Sequence, residues 1–293
     1  MRGELAALMA ACLWAAATVM FGRLGKALSP LVLNLAKGTI ALVLLALTLL
    51  LVGQSTAGLD RQAIAWLGLS GVIGIGLGDT AYFAAINRLG PRRALLLETL
   101  APPIAALMAL AFLQEALSVR AWLGIALTLA GVVWVIAERV PGETIPGRAD
   151  YQGVVYGVLA ALGQATGAVM SRSVLADTAV DPLWSSLLRL AGGCVIILGI
   201  LRSQGPVAGA LRPLRSPRLL AGVALAAVLG TYLAIYLQQI ALKYAATGVA
   251  QALTSTSPLF VLPLAAALGD RVSLRAVAGA IVALVGIAIL VNG

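Results

Sequence analysis

The stretch GLGDTAYF, Gly76–Phe83, sets an aspartate inside a long apolar run. A carboxylate at that depth of a membrane is costly, and such groups face a protein interior or a wet cavity on a solute or proton path. Two chemistries are open to Asp79. It can share a proton with a second carboxylate as half of an aspartyl dyad, or it can serve as counter-charge to a cationic or zwitterionic solute, or as a proton-coupling site. Asp79 stands about eight residues, or ~12 Å, before the end of its run at Asn87, too far for its short side chain to reach an interface. The other ionisable residues within apolar runs are Lys37, Glu98 and Arg189. Their balanced signs point to internal pairing or to a polar central pathway. Lys37 and Arg189 have stems long enough to snorkel, whereas Glu98 follows Arg93 by little more than one turn and suits a membrane edge as well as an interior site.

The elements that must position these groups follow from composition. Of 293 residues 61% are hydrophobic and 11% charged, with a mean hydropathy of +1.02, whereas a water-soluble globule carries about a quarter of its residues charged. Ten runs are long enough to cross ~30 Å of hydrocarbon. Five are Glu4–Gly22, Leu31–Val52, Ala63–Ile86, Ala94–Leu113 and Val119–Ala137. Five more are Gln152–Ser171, Pro182–Leu201, Leu219–Ala241, Thr247–Leu268 and Ser273–Val291. Connections are short, so the expected fold is an all-α membrane protein without a soluble domain, embedded as a multi-pass protein of a bacterial plasma (inner) membrane. The first run lacks a basic leader and cleavage site and is read as a span. The net charge of +9 sits in loops between spans, which fits topology charges and anionic lipid head groups rather than nucleic acid. Cys12 and Cys194 are expected as buried free thiols, and the absence of histidine removes serine–histidine catalysis and histidine metal sites. No cofactor or metal is expected.

The second half echoes the first. At a separation of 155 residues Thr99 matches Thr254, Pro103 matches Pro258, Ser118 matches Ser273, Arg120 matches Arg275, Gly124 matches Gly279 and Gly131 matches Gly286. Pro30 and Lys37 likewise correspond to Pro182 and Arg189, and Trp14 to Gln164. Residues 1–140 and 151–293 therefore form two five-helix repeats, and an odd number of passes joined by a short loop inverts one against the other. Thirteen Lys and Arg lie in loops on one side and five on the side of the termini, with Lys37 and Arg189 completing the 20. That bias makes the odd-numbered loops cytoplasmic and places both termini outside.

Proline in mid-helix donates no hydrogen bond and displaces the carbonyl four residues earlier. Pro103 and Pro258 would thus free the carbonyls of Thr99 and Thr254, polar groups tolerated at that depth only against protein or a wet cavity. Tyr232, Tyr236, Gln239 and Lys243 recur at helical spacing in the eighth run, and Asp79 and Tyr82 lie one turn apart in the third. The residues expected to line a pocket are Trp14, Lys37, Asp79, Tyr82, Glu98, Thr99, Gln164, Arg189, Tyr232, Tyr236, Gln239 and Thr254. The pairs Gly74/Gly78, Gly153/Gly157 and Gly163/Gly167 suit close helix approach.

Two stretches carry a family resemblance. They are GDTAYFAAINRLGPRRALLLETLAPPIAALMALAFLQEALSVRAWLGIALTLAGVVWVI and LAIYLQQIALKYAATGVAQALTSTSPLFVLPLAAALGDRVSLRAVAGAIVALVGIAIL. Each has an apolar span, a mid-helix proline, an acidic residue at the loop and a glycine-bearing last span. The chain resembles EamA-type members of the drug/metabolite transporter superfamily over essentially its full length. The resemblance implies a carrier working by alternating access around a central cavity, commonly an exporter of small metabolites such as amino acids. It aligns Pro103 and Pro258 with the family's prolines and Glu115 and Asp270 with its loop acids, although Ala116 stands where the family has arginine and Asp270 replaces glutamate. The expected partners are a small-molecule substrate, a coupling proton and the bilayer, with the chain acting as a monomer. Two rival readings remain. G-x-G-D also resembles intramembrane aspartyl proteases, but the remaining aspartates fall in loops and the proteases' C-terminal Pro-Ala-Leu element is missing. A non-transporting sensor or scaffold would have no use for symmetric helix breaks.

Overall fold

The computed structural model describes residues 1–137, 150–176, 178–260 and 274–291. Among them all regular structure is helical. The elements are α1 Arg2–Leu24, α2 Pro30–Val52, α3 Arg61–Leu89, α4 in two pieces (Pro91–Glu98 and Ala101–Leu113) and α5 Val119–Ala137. The second half gives α6 Tyr151–Leu175, α7 Pro182–Gln204, α8 Pro217–Tyr244, α9 Thr247–Thr254 and α10 Leu274–Val291. Eight helices are long and apolar enough to cross a membrane, and Val119–Val135 is a shorter apolar helix. The end of the ninth expected span lies outside the described residues, as does the loop acid Asp270. The described residues therefore carry eight spans and one shorter apolar helix toward the ten expected.

The loops show why helices begin where they do. Ser29, Asp60, Asp150 and Asp181 each accept a backbone N–H from the first turn that follows, and Pro30 and Pro182 occupy the first helical position. The loop aspartates 60, 150 and 181 are thus caps. The Arg88 guanidinium, 3.0 Å from Asp150, holds that exposed carboxyl below its usual range and ties the end of α3 to the start of α6.

Helix pairing carries the repeat into three dimensions. Helix α1 packs on α8 and α3 on α6, while α2 packs on α7, α4 on α9 and α5 on α10. Replacing every helix by its counterpart in the other repeat returns the same set of pairs, which is a two-fold relation between the halves. Glycines set the closest contacts: Gly74 and Gly78 of α3 face Gly167 and Gly163 of α6, and Gly124 and Gly131 of α5 meet Gly286 and Gly279 of α10. Leu50, Leu51, Phe112 and Val195 project outward from the bundle, as lipid-facing residues do. Cys12 also faces outward and Cys194 is half-buried, so neither is the buried thiol expected. Alanine packing fills the interior of α1 at residues 6, 7, 10, 11, 15 and 17, and turns Cys12 to the periphery.

At Gly71 the backbones of α3 and α7 come so close that a Cβ would lie 1.8 Å from the Arg189 carbonyl oxygen. Gly71→Ala should therefore cost about 3 kcal/mol or more, because two backbones must part rather than one side chain yield. A lowered unfolding midpoint in detergent is the expected result; an unchanged midpoint would contradict this contact.

Candidate functional site

Two helices depart from α geometry at matching places. Val72–Asp79 of α3 and Val228–Leu233 of α8 are π-helical. Such segments release carbonyls from the regular ladder and concentrate at functional sites. The Ile75 carbonyl accepts from Asn34 Nδ2 at 2.8 Å, and the Gly230 carbonyl accepts from Trp14 Nε1 at 2.8 Å. These two carbonyls are 155 residues apart, the repeat spacing. Thr80 Oγ1 donates to the Gly76 carbonyl at 2.6 Å and receives the second bond of Asn34 at 3.0 Å.

Helices α4 and α9 are interrupted, but not as proline kinks. Helix α4 stops at Glu98 and restarts at Ala101, with Pro102 and Pro103 in the new first turn. Helix α9 ends at Thr254, and the chain turns helical again over 257–260 with Pro258 in that first turn. A first-turn proline has no amide to leave unpaired and no earlier helical carbonyl to clash with. The joints therefore fall before the prolines. The expected freeing of the threonine carbonyls is corrected accordingly: the Thr254 carbonyl accepts from Ser257 Oγ, while the Thr99 and Thr254 hydroxyls donate to the carbonyls of Leu96 and Gln251.

Between the π segments and the joints lies a cavity of about 120 Å³. Helices α1 to α4 and α6 to α9 all contribute, so both repeats build it. Trp14, Phe21, Tyr82 and Phe83 supply aromatic surface; Lys37, Asp79, Glu98 and Arg189 supply charge; Gln164, Gln238, Gln251 and Thr254 supply neutral hydrogen-bonding groups. Lys37 Nζ lies 2.6 Å from Asp79 Oδ2, with 4% and 20% of the two side chains exposed. The same ammonium sits 5.3 Å from the Phe83 ring centre and 5.8 Å from that of Phe21, which stabilises it further. Among the described residues Arg189 and Glu98 have no ion-pair partner: Arg189 Nε and Nη1 and Glu98 Oε2 are buried without a hydrogen bond.

Eight of the twelve residues expected to line a pocket do so: Trp14, Lys37, Asp79, Tyr82, Glu98, Gln164, Arg189 and Thr254. Thr99, Tyr232, Tyr236 and Gln239 lie elsewhere. The Tyr232 hydroxyl bonds Thr48 Oγ1 at 2.8 Å, and Tyr236 packs in the apolar cluster with Trp184 and Leu187. Gln239 Oε1 accepts from Ser171 and Ser185 in a buried knot. Helical spacing correctly put the α8 residues on one face, but that face turns toward α2, α6 and α7. The adjacent face, carrying Ile235 and Gln238, meets the cavity. Gln238 and Gln251 escaped the sequence reading. The signals were the Gln238-Gln239 pair, whose members point ~100° apart on a helix, and the glutamine one turn before Thr254.

At the end of the bundle holding the termini, polar bonds tie the repeats together. Glu115 Oε1 lies 2.6 Å from Arg172 Nε, and its other oxygen accepts the Thr247 backbone N–H at 2.8 Å. Arg172 Nη1 also donates to the carbonyls of Leu242 and Lys243, and Lys243 Nζ donates to the carbonyl of Val180. The charge count placed Arg172 and Lys243 near loops on the side of the termini; here they clasp α6, α8 and the starts of α7 and α9.

The family profile described as EamA-like transporter family matches residues 1–137 and 151–292. A solved crystal structure, described only as that of a protein, superposes with a TM-score of 0.79 at 19% identity, covering 98% of this chain and 95% of its own. At that identity it shows the fold alone. No curated protein matches significantly.

Proposed function

Because the chain belongs to the EamA-like transporter family, we propose that it works as an alternating-access secondary transporter, exporting a small metabolite such as an amino acid or a related amphipathic solute. One observation carries this reading: an aromatic and polar cavity whose walls come from both repeats and meet at paired π segments and paired helix joints. A solute held between two related halves is released to either side when the halves rock, and irregular backbone around it is tolerated because it lines the cavity. In this reading ten passes form two inverted five-helix repeats, the chain acts as a monomer in a bacterial plasma membrane, and both termini lie outside. Counterflow of radiolabelled amino acids into proteoliposomes tests it. Exchange above protein-free vesicles is expected, and a sensor or scaffold would give none.

The protease reading loses its central residue. Asp79 is held by Lys37, whereas an aspartyl dyad needs its carboxylates free to share a proton.

The coupling proton belongs on Glu98, the cavity carboxylate whose Oε2 has no partner among the described residues. Glu98→Gln should abolish transport driven by a pH gradient, by tenfold or more, while counterflow, which needs no gradient, continues. Equal pH-driven transport in the variant would remove Glu98 from coupling.

A further inference from the structure

We propose that Arg189, with the side-chain amides of Gln238 and Gln251, forms an anion subsite that takes the carboxylate of the solute. The subsite exists because the second repeat lacks the acid that neutralises Lys37 in the first. The substrate assignment rests on the transport reading; the subsite itself does not.

Lys37 and Arg189 hold the same place in the two repeats, on α2 and α7, and both line the cavity. In the first repeat the cation is closed by Asp79 of α3. The matched carbonyls of Ile75 and Gly230 and the matched ends of α3 and α8 at Leu89 and Tyr244 fix the spacing of these two helices at 155. That spacing carries Asp79 to position 234, which is a fully buried alanine. Arg189 thus has no acid at that matching position, and the Asp79 carboxylate whose charge reaches it is already bonded to Lys37.

Arg189 is 1% exposed, yet Nε and Nη1 have no acceptor among the described residues. Burial of a guanidinium is tolerated when an anion satisfies it, and its planar fork matches a carboxylate at two points. Gln238 and Gln251 are 3% and 4% exposed, line the same cavity, and have Nε2 groups without an acceptor among the described residues. The Gln251 amide is oriented by Thr254, whose hydroxyl lies 3.3 Å from Oε1, so its donor end stays free. Three buried side chains therefore bring unmatched donors to one cavity. The remaining lining charges complete the picture: Lys37 and Asp79 cancel, and Glu98 is an acid that the ammonium of an amino acid would meet. Trp14, Phe21, Tyr82 and Phe83 leave apolar surface for the body of the solute.

The test compares binding of L-phenylalanine, L-leucine and phenylacetate with binding of their carboxamides, read by intrinsic tryptophan fluorescence and thermal shift of the full chain in detergent. At least one carboxylate should bind tenfold or more tightly than its amide. Arg189→Gln should erase that preference, and Arg189→Lys should retain part of it. Ala234→Asp, which puts an acid at the repeat position of Asp79, should weaken the carboxylate tenfold or more and leave the amide unchanged. Equal binding of every acid and its amide to the wild-type chain overturns the subsite, as does full carboxylate preference in either Arg189→Gln or Ala234→Asp. The wild-type comparison decides even where a variant fails to fold. Carboxylate binding without counterflow would refute transport and keep the subsite; counterflow without carboxylate preference would do the reverse.

Discussion

Asp79→Asn should lower stability by about 3 to 5 kcal/mol and reduce transport tenfold or more. Removing one partner of a buried ion pair leaves the other charge uncompensated, and here the survivor is Lys37, 4% exposed between two phenylalanine rings. The loss is not simply one hydrogen bond. In the wild type the pair costs desolvation of two ions and regains it through their attraction; in the variant the desolvation of Lys37 remains and the attraction is gone. Lys37→Met together with Asp79→Leu should therefore recover most of the unfolding midpoint, since a buried pair replaced by apolar residues is often neutral. Transport should not recover, because the pair forms part of the polar wall of the cavity. Thermal unfolding in detergent and counterflow separate the two effects. An Asp79→Asn chain that unfolds at the wild-type midpoint would show that Asp79 and Lys37 do not neutralise each other.

Glu115→Ala should open the terminus end of the bundle. Glu115 joins Arg172 to the start of α9, and Arg172 in turn holds the end of α8. A partly buried charge pair of this kind costs about 2 to 5 kcal/mol to truncate, and about 1.4 kcal/mol moves an equilibrium tenfold. The expected result is a 30-fold or larger shift toward the conformation open at that end. It is measured in a chain with Cys12 and Cys194 replaced by alanine and Thr254 by cysteine, as the rate at which an impermeant maleimide added on the terminus side reaches the cavity. Arg172→Ala should act in the same direction. The double variant should add little, because both residues belong to one network. Unchanged labelling in both single variants would mean that the clasp does not control access.

The amino-acid sequence by itself determined that this chain lies in the membrane, that it is built twice over, and which polar residues stand inside apolar runs. These are local or additive properties. Run length and hydropathy fix the spans, and a spacing of 155 survives in Thr, Pro, Arg and Gly residues whatever their neighbours do. It also marked the glycine pairs, since small residues four apart share one helix face, and Gly74 with Gly78 does face Gly163 with Gly167.

The partner of each polar residue was decided only by tertiary structure. A hydrophobic period cannot register a π segment, which slips the helical phase by a fraction of a turn; so Tyr232, Tyr236 and Gln239 shared a face as expected, but not the face that meets the cavity. Nor can one helix report what lies across from it. Asp79 and Lys37 are 42 residues apart and neutralise each other, while Arg189, at the place of Lys37 in the second repeat, has no ion pair among the described residues. Electrostatic energy depends on the distance between charges in space, and for residues on different helices that distance is set by packing rather than by their order in the chain.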